Sequence, residues 1–482
     1  MRRLIALFTA LSLFASSIAA LADGYRLPNL GSSADAVMTP AEETRLGEAF
    51  MRRIRATGRV IDEPWAQAYL HHLGQRLAAH DEAVGQHFHF FLLDEPTINA
   101  FAGPAGHIGV HSGLVLATRD ESELAAVLSH EIAHVTQHHL AQFYADAKRL
   151  SIPGAALLIA SVLLGAVGGA QAGIAAAVGG QAAILQHQID FTRANEKEAD
   201  AIGIEILADA GFDPSAMASF FSRLGKATRL YNTKLPKFLL THPVSSERIA
   251  EAQGRARRFR YHQASEDPRF HLLRAWLRVR ADDDPEALVP VLRRQLADGS
   301  YRSQTAKRFE LALALEQAGK TGQAIDVLRK ITAERRAQPA IAVTLARFLA
   351  HRKQLDEAAR VLQKALRSTP DNRPLLIAQA RLDLRRGHAR AALAALRRLL
   401  ERTPDDATLL KLQARALDAR SERIEAELSL AEAYFQQGDT EAAIQQLRIA
   451  KREFPHLDYY LAARIEARQD AYQQEQDELD TH

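Results

Sequence analysis

The spacing of apolar residues changes period several times along the chain, and each change predicts a new element. After an unpatterned, extended lead-in from Tyr25 to Ser33, Thr39-Pro40-Ala41-Glu42-Glu43 combines an N-cap, a proline at the first helical position and acids in the first turn. It predicts a helix through about Arg55. Pro64 to Ala79 places Trp65, Ala68, Tyr69, Leu73 and Leu77 at helical spacing and predicts a second helix that packs by that face. Two strands are predicted next, at His87 to Leu93 (HFHFFLL) and Ile108 to Leu116, joined by a loop NAFAGPAG. Asp120-Glu121-Ser122-Glu123 then puts acids at the positive end of a helix that is apolar over Ala125, Val127, Leu128, Ile132, Ala133 and Val135. That helix is expected to run past His139 to about Arg149. Ser151 to Gln186 is nearly charge-free and rich in Gly and Ala, and the helix after it buries Ala199, Ile202, Ile206 and Leu207.

From about Pro268 the pattern becomes all-helical and repeats. Ala324, Ala358 and Ala392 lie 34 residues apart, as do Leu328, Leu362 and Leu396, with Pro370 and Pro404 after the helix pairs. That period is the tetratricopeptide signature. Ala365 and Leu399 keep the register, and Ala443, Leu447, Ala450 and Pro455 repeat the unit 51 residues after the previous one. The excess is half a repeat, which predicts one unpaired helix between about Asp406 and Arg420; residues 268 to 300 form a divergent first unit. Stacked helix pairs make a concave surface suited to a protein or peptide. Arg-rich helices from Arg381 to Arg402 either line it or simply face solvent.

Composition narrows the class. At 482 residues, 47% hydrophobic and 25% charged, the chain is globular and multidomain. With 61 Lys+Arg against 58 Asp+Glu and no basic tail or stripe, it has no signature of a nucleic-acid partner. Residues 1–22 read as a secretory signal, with Arg2 and Arg3, an apolar Leu4 to Ala15, and Ala20-Leu21-Ala22 before Asp23; an uncleaved anchor is the other reading. There is no cysteine, so disulfides, thiol catalysis and cysteine metal sites are excluded.

Within the apolar helix, His130, Glu131 and His134 have the spacing HExxH. Residues four apart lie on one helical face, so both imidazoles can reach one zinc while Glu131 stands beside the water it activates. His138 lies two turns beyond His130, about 12 Å along the axis, so one zinc cannot take all three histidines. The HExxHxxGxxH pattern also fails, because Gln137 and Leu140 replace its glycine and last histidine. A carboxylate from another helix would complete a His2Glu site open to water, and Glu196 offers it. Asp200, four residues on, would accept the N–H of a ligand histidine. Glu198 competes but points about 200° around the helix. An ordinary charged helix face is the plain alternative for this run. His107 and His111, in the second strand, read as structural; that strand's free edge is suited to hold an extended substrate backbone. A single membrane crossing by residues 151–186 would part Glu196 from the histidines, and two crossings need more residues. The segment is therefore a hairpin or loop over the site with peripheral membrane contact, or a buried Ala/Gly-rich helix pair.

HEIAH, the ExxxD of Glu196 to Asp200 preceded by Arg193, and NAFAGPAGHIGVHSG together resemble the M48 family of zinc metallopeptidases over about residues 40 to 255. Thr241-His242-Pro243 followed by Arg248 looks like that family's late HPxxxxR motif. The resemblance implies peptide hydrolysis with one Zn2+ per chain, held by His130, His134 and Glu196. Glu131 would act as base, and His242 with Arg248 would stabilise the oxyanion; His242 is alternatively a resting-state ligand. The expected fold is mainly α: a signal peptide (1–22), an α+β zincin-type domain with a small sheet (23–267) and an all-α tetratricopeptide solenoid (268–482). This combination resembles periplasmic proteases of Gram-negative bacteria concerned with outer-membrane protein quality control. That implies unfolded or stalled outer-membrane proteins as substrates, chaperone-like help with their assembly, and an array that docks on the assembly machinery. A scaffold or chaperone with a latent protease domain is the competing reading.

Overall fold

The computed structural model describes residues 39–81, 87–143, 182–231, 237–260, 264–334 and 338–480. The signal-like residues 1–22, the lead-in Tyr25 to Ser33 and residues 151–181 of the apolar segment lie outside them. Helix α1 (Pro40–Ala56) opens with a full capping box: the Thr39 hydroxyl accepts from the Glu42 N–H at 3.3 Å, and the Glu42 carboxylate accepts from the Thr39 N–H at 2.8 Å. Helix α2 (Pro64–Ala78) buries Trp65, Tyr69, Leu70, Leu73 and Leu77. Three strands follow, β1 (His89–Leu93), β2 (Ala100–Ala102) and β3 (His107–His111), in the order β1-β3-β2. Strand β1 is parallel to β3, and β2 is antiparallel to it.

Four expectations change here. The loop NAFAGPAG contains a strand, β2, which forms a hairpin with β3; its small residues carry no strand signal of their own. Strand β3 stops at His111 rather than Leu116, because the Ser112 hydroxyl and Gly113 N–H both donate to Glu95 O and turn the chain into helix α3 (Ser112–Ala117). With β3 central, its edges are both taken, and the outer strand beside the HExxH helix is β2. That helix, α4 (Glu121–Thr136), also ends early: His138 has φ +54, and a new helical turn starts at His139.

Helix α5 (Ala182–Asp209) packs along α4, and α6 (Ala216–Tyr231), α7 (Lys237–Thr241) and α8 (Ser246–Ala256) complete the domain. The array comprises α9 (Pro268–Arg280), α10 (Pro285–Ala297), α11 (Gln304–Gln317), α12 (Thr321–Glu334), α13 (Pro339–His351), α14 (Leu355–Ser368), α15 (Arg373–Arg385), α16 (Ala389–Leu400), α17 (Ala407–Asp418), α18 (Arg423–Gln436), α19 (Thr440–Glu453) and α20 (Tyr459–Asp480). The extra half-repeat helix is α17; it packs between α16 and α18 rather than standing alone.

The first helices of successive pairs close on α2. Trp65 meets Trp276 of α9 at 5.7 Å and Phe309 of α11 at 6.1 Å, both edge-on, and α13 and α15 also touch α2. One apolar core therefore runs from Ile61 to Leu382. Helix α13, pressed between its partner and the N-terminal domain, buries nine residues, from Ala340 through Leu349; α14 buries only the stripe Ala358, Ala359, Leu362 and Ala365. The concave face expected to receive a partner is thus largely filled by the chain's own α2. Beside α2 lies a cavity of about 450 Å³ lined by Glu63, Trp276, Arg280, Leu313, Arg347 and His351, among others. Of the arginines on α15 and α16, Arg390, Arg397 and Arg398 are exposed and Arg381 is half-buried.

The far end of the array returns to α1. Arg52 stacks on Phe435 at 4.7 Å and donates to Glu475 at 2.5 Å, while Arg55 donates to Gln436 O at 3.0 Å. Gly438 (φ +78) lies so close that an added Cβ would stand 2.1 Å from Arg52 O. Gly438→Ala should therefore cost about 1–2 kcal/mol in left-handed backbone strain, with the clash in addition. The expected readout is faster hydrogen exchange confined to α1 and α18–α20, and unchanged exchange there would contradict this contact.

Candidate metal centre

Helices α4 and α5 approach closely because position 203 is glycine. A Cβ on Gly203 would stand 3.1 Å from His130 N and Cα. That approach carries Glu196 and Asp200 onto the HExxH face. His130 Nε2 lies 3.0 Å from His134 Nε2 and 3.5 Å from Glu196 Oε2, and His134 Nε2 lies 3.4 Å from Glu196 Oε1. His242 follows α7, its N–H donating to Phe238 O at 2.7 Å. Its Nδ1 stands 2.8 Å from Glu196 Oε1 and 3.3 Å from His130 Nε2. Ligand atoms of His130, His134, Glu196 and His242 all lie within 4.8 Å of one another.

A four-coordinate zinc with bonds of about 2.0–2.1 Å has ligand–ligand separations of roughly 3.3 Å. The closest contacts here, 2.8 to 3.5 Å, are near that value, and the four ligand atoms together lie within 4.8 Å of one another, a set that one small cation can draw together. A further observation fits it: Glu131 is buried, and its Oε1 has no hydrogen-bond partner among the described residues. That oxygen is 3.6 Å from His242 Nε2. Burial, the largest influence, pushes the Glu131 carboxyl above its usual range.

The remaining contacts hold these side chains in place. His130 Nδ1 faces the Asp200 Oδ1 carboxylate oxygen at 3.0 Å, an ion-pair contact on the side of the ring away from His134 and Glu196. Arg248 grips Asp200 from two sides, Nε at 2.7 Å and Nη2 at 2.8 Å. Its Nη1 reaches Glu196 Oε2 at 2.9 Å and Pro243 O at 2.8 Å. Burial opposes charge on His130, but Asp200 and Glu196 outweigh it and hold its pKa up at about 10. Burial dominates at His134 and lowers it to about 3. For Glu196 burial also acts against charge, yet His242, His130 and His134 together keep its carboxyl well below the ordinary range.

His107 and His111 stay outside this cluster. His107 Nδ1 donates to Pro104 O at 2.8 Å and His111 Nδ1 pairs with Thr97 Oγ1 at 2.8 Å, so both serve the hairpin. Arg193 is exposed, and so is about half of the Glu198 side chain. Two aromatic neighbours were not singled out from the sequence: Phe238, 4.9 Å from the His242 ring, and Phe221, 5.1 Å from the Arg248 guanidinium. Phe238 stands four residues before His242, a spacing that could have flagged it; Phe221 carries no such signal.

Comparison with known proteins adds three findings. Residues 64–256 match the model of Peptidase family M48, and residues 315–382, 350–416 and 425–456 match tetratricopeptide repeat models. The chain is 38% identical over 310 residues to the "Beta-barrel assembly-enhancing protease" of Yersinia pestis, covering 64% of this chain and 63% of that one. The protein of the same name in Escherichia coli K12 gives 38% over 312 residues with the same shares. A "Putative beta-barrel assembly-enhancing protease" of Vibrio cholerae is 44% identical over 253 residues, covering 52% of each chain. The matched part thus spans a little under two thirds of the first two relatives' length.

Proposed function

Because the chain carries a peptidase domain of family M48 followed by tetratricopeptide repeats, we propose that it is a periplasmic zinc metalloendopeptidase. Its substrates are unfolded or stalled outer-membrane β-barrel proteins, whose assembly it also assists, and the array docks it on their assembly machinery. The observation that carries the reading is the convergence of His130, His134 and Glu196 on one point beside the buried Glu131 carboxylate, one oxygen of which has no hydrogen-bond partner among the described residues. One zinc per chain would polarise the scissile carbonyl and lower the pKa of its water.

The protein groups supply the rest. Glu131, whose carboxyl is shifted upward by burial, takes the water proton and passes it to the leaving amine. Strand β2, hydrogen-bonded on one side to β3, offers its other edge to an extended substrate, and the Ala102 backbone contacts Glu131. Arg248, engaged by Asp200, Glu196 and Pro243 O, acts by holding carboxylates rather than at the oxyanion. His242 stands at ligand distance and would help to hold a bound ion as a fourth, resting-state ligand, the alternative to a role at the oxyanion. The same placement favours the second reading, a chaperone whose protease is latent. For localisation, no helix among the described residues is long and apolar enough to cross a membrane, and the bacterial relatives' name refers to β-barrel assembly.

Metal analysis of the purified chain is the direct test. It should contain one zinc, lose it to a strong chelator together with cleavage of an unfolded outer-membrane protein, and regain both on adding zinc. Cleavage that persists after complete metal removal would overturn the mechanism.

A further inference from the structure

His139 stands behind His134 much as Asp200 stands behind His130. Its ring is buried, with Nδ1 2.9 Å from His134 Nδ1 and Nε2 3.4 Å from Glu198 Oε2. On an unbroken helix, five residues turn about 500° and would carry position 139 some 140° around the axis from position 134. The left-handed His138 (φ +54) breaks α4 after Thr136 and returns the His139 ring to 4.9 Å from that of His134. The contact is therefore made by the break and not by HExxH periodicity.

We propose that His139 is a positioning residue for His134: its Nδ1 accepts the His134 Nδ1–H, its own Nε2–H donates to Glu198, and His134 Nε2 is thereby fixed toward the metal. This rests on the metal-centre reading above. The tautomers follow in order. His134 can present Nε2 to a cation only if its proton is on Nδ1; His139 Nδ1 must then accept, which places the His139 proton on Nε2, opposite the Glu198 carboxylate. Each HExxH histidine is thus oriented from behind, His130 by Asp200 on α5 and His134 by His139 just beyond the break in α4. Glu198, half exposed, contributes the smaller share because water screens it.

The experiment uses the full chain with zinc and, separately, cobalt(II) as probes. His139→Ala should weaken zinc binding, measured by competition with a chromophoric chelator, by roughly 10- to 100-fold and shift the visible bands of the cobalt form. His139→Asn, which keeps an acceptor near the Nδ1 position, should recover most of the affinity and the spectrum. An alanine variant that binds zinc as tightly as wild type, with an unchanged cobalt spectrum, would overturn the assignment. Should His139→Ala lose helical content, the exposed Glu198→Ala, which removes the acceptor, carries the test: a cobalt spectrum identical to wild type would count against the relay. A wild-type chain that binds neither ion would sink the metal centre itself and this inference with it, whereas tight wild-type binding matched by the variants would remove the inference alone.

Discussion

Glu131→Gln should retain one zinc per chain and lose peptide cleavage by roughly 100- to 10,000-fold. The substitution is nearly isosteric in a site that tolerates no bulk, since Glu131 is 1% exposed and packed in the middle of α4. His130, His134, Glu196 and Asp200 keep their positions, so metal content and thermal stability should stay close to wild type. What disappears is the carboxylate that the proposed mechanism uses to accept and release the water proton. Its upward shift by burial matters because a carboxyl in the ordinary range would be a weaker base at neutral pH. Zinc content, melting temperature and cleavage of an unfolded outer-membrane protein should be measured on one preparation. Retained cleavage would remove Glu131 from the mechanism. If the variant also restores full function to cells lacking the protein, the scaffold reading replaces the protease reading as the main activity.

Ending the chain at Asp267 should leave a peptidase domain that aggregates or unfolds, not a smaller working enzyme. The domain boundary is sharp in sequence, where the Asp267 side chain caps α9, but it does not separate two cores. Removing the array would uncover the side of α2 where Trp65 packs on Trp276 and Phe309 and Tyr69 lies under Arg269, both at most 5% exposed in the full chain, together with the array-facing parts of the shared core. At about 1.5–3 kcal/mol per large apolar side chain uncovered, a few such residues equal the whole stability of a typical domain. Polar contacts are lost as well: Arg274 and Arg302 donate to Arg119 O just before the HExxH helix, and Arg347 to Glu63. The buried Glu121, which opens that helix, bridges the Tyr69 hydroxyl and the Asp267 N–H at the junction itself. A fragment 23–267 that is soluble and melts cooperatively within a few degrees of the full chain would refute this. The array must therefore be probed in cells by surface substitutions, since loss of function on truncation would report the loss of the fold.

The sequence by itself determined most of the chemistry. HExxH spacing placed His130 and His134 on one face, ExxxD spacing placed Glu196 and Asp200 on another, and the 34-residue period located the helix pairs and the extra half-repeat. Such signals are legible because helical periodicity relates near neighbours along one chain. Only the tertiary structure decided how the faces meet: Gly203 lets α5 approach His130, His242 arrives at ligand distance from a segment 112 residues away, and Arg248 turns to the carboxylates. Neither the β2 strand nor the break at His138 was legible either, because β2 is held by pairing to β3 and position 138 has no glycine to announce a left-handed residue. Nor does any repeat period reveal that the array's inner helices are already filled by α2. Side-chain packing between segments distant in sequence settles that, through contacts such as Trp65 on Trp276 and Phe309.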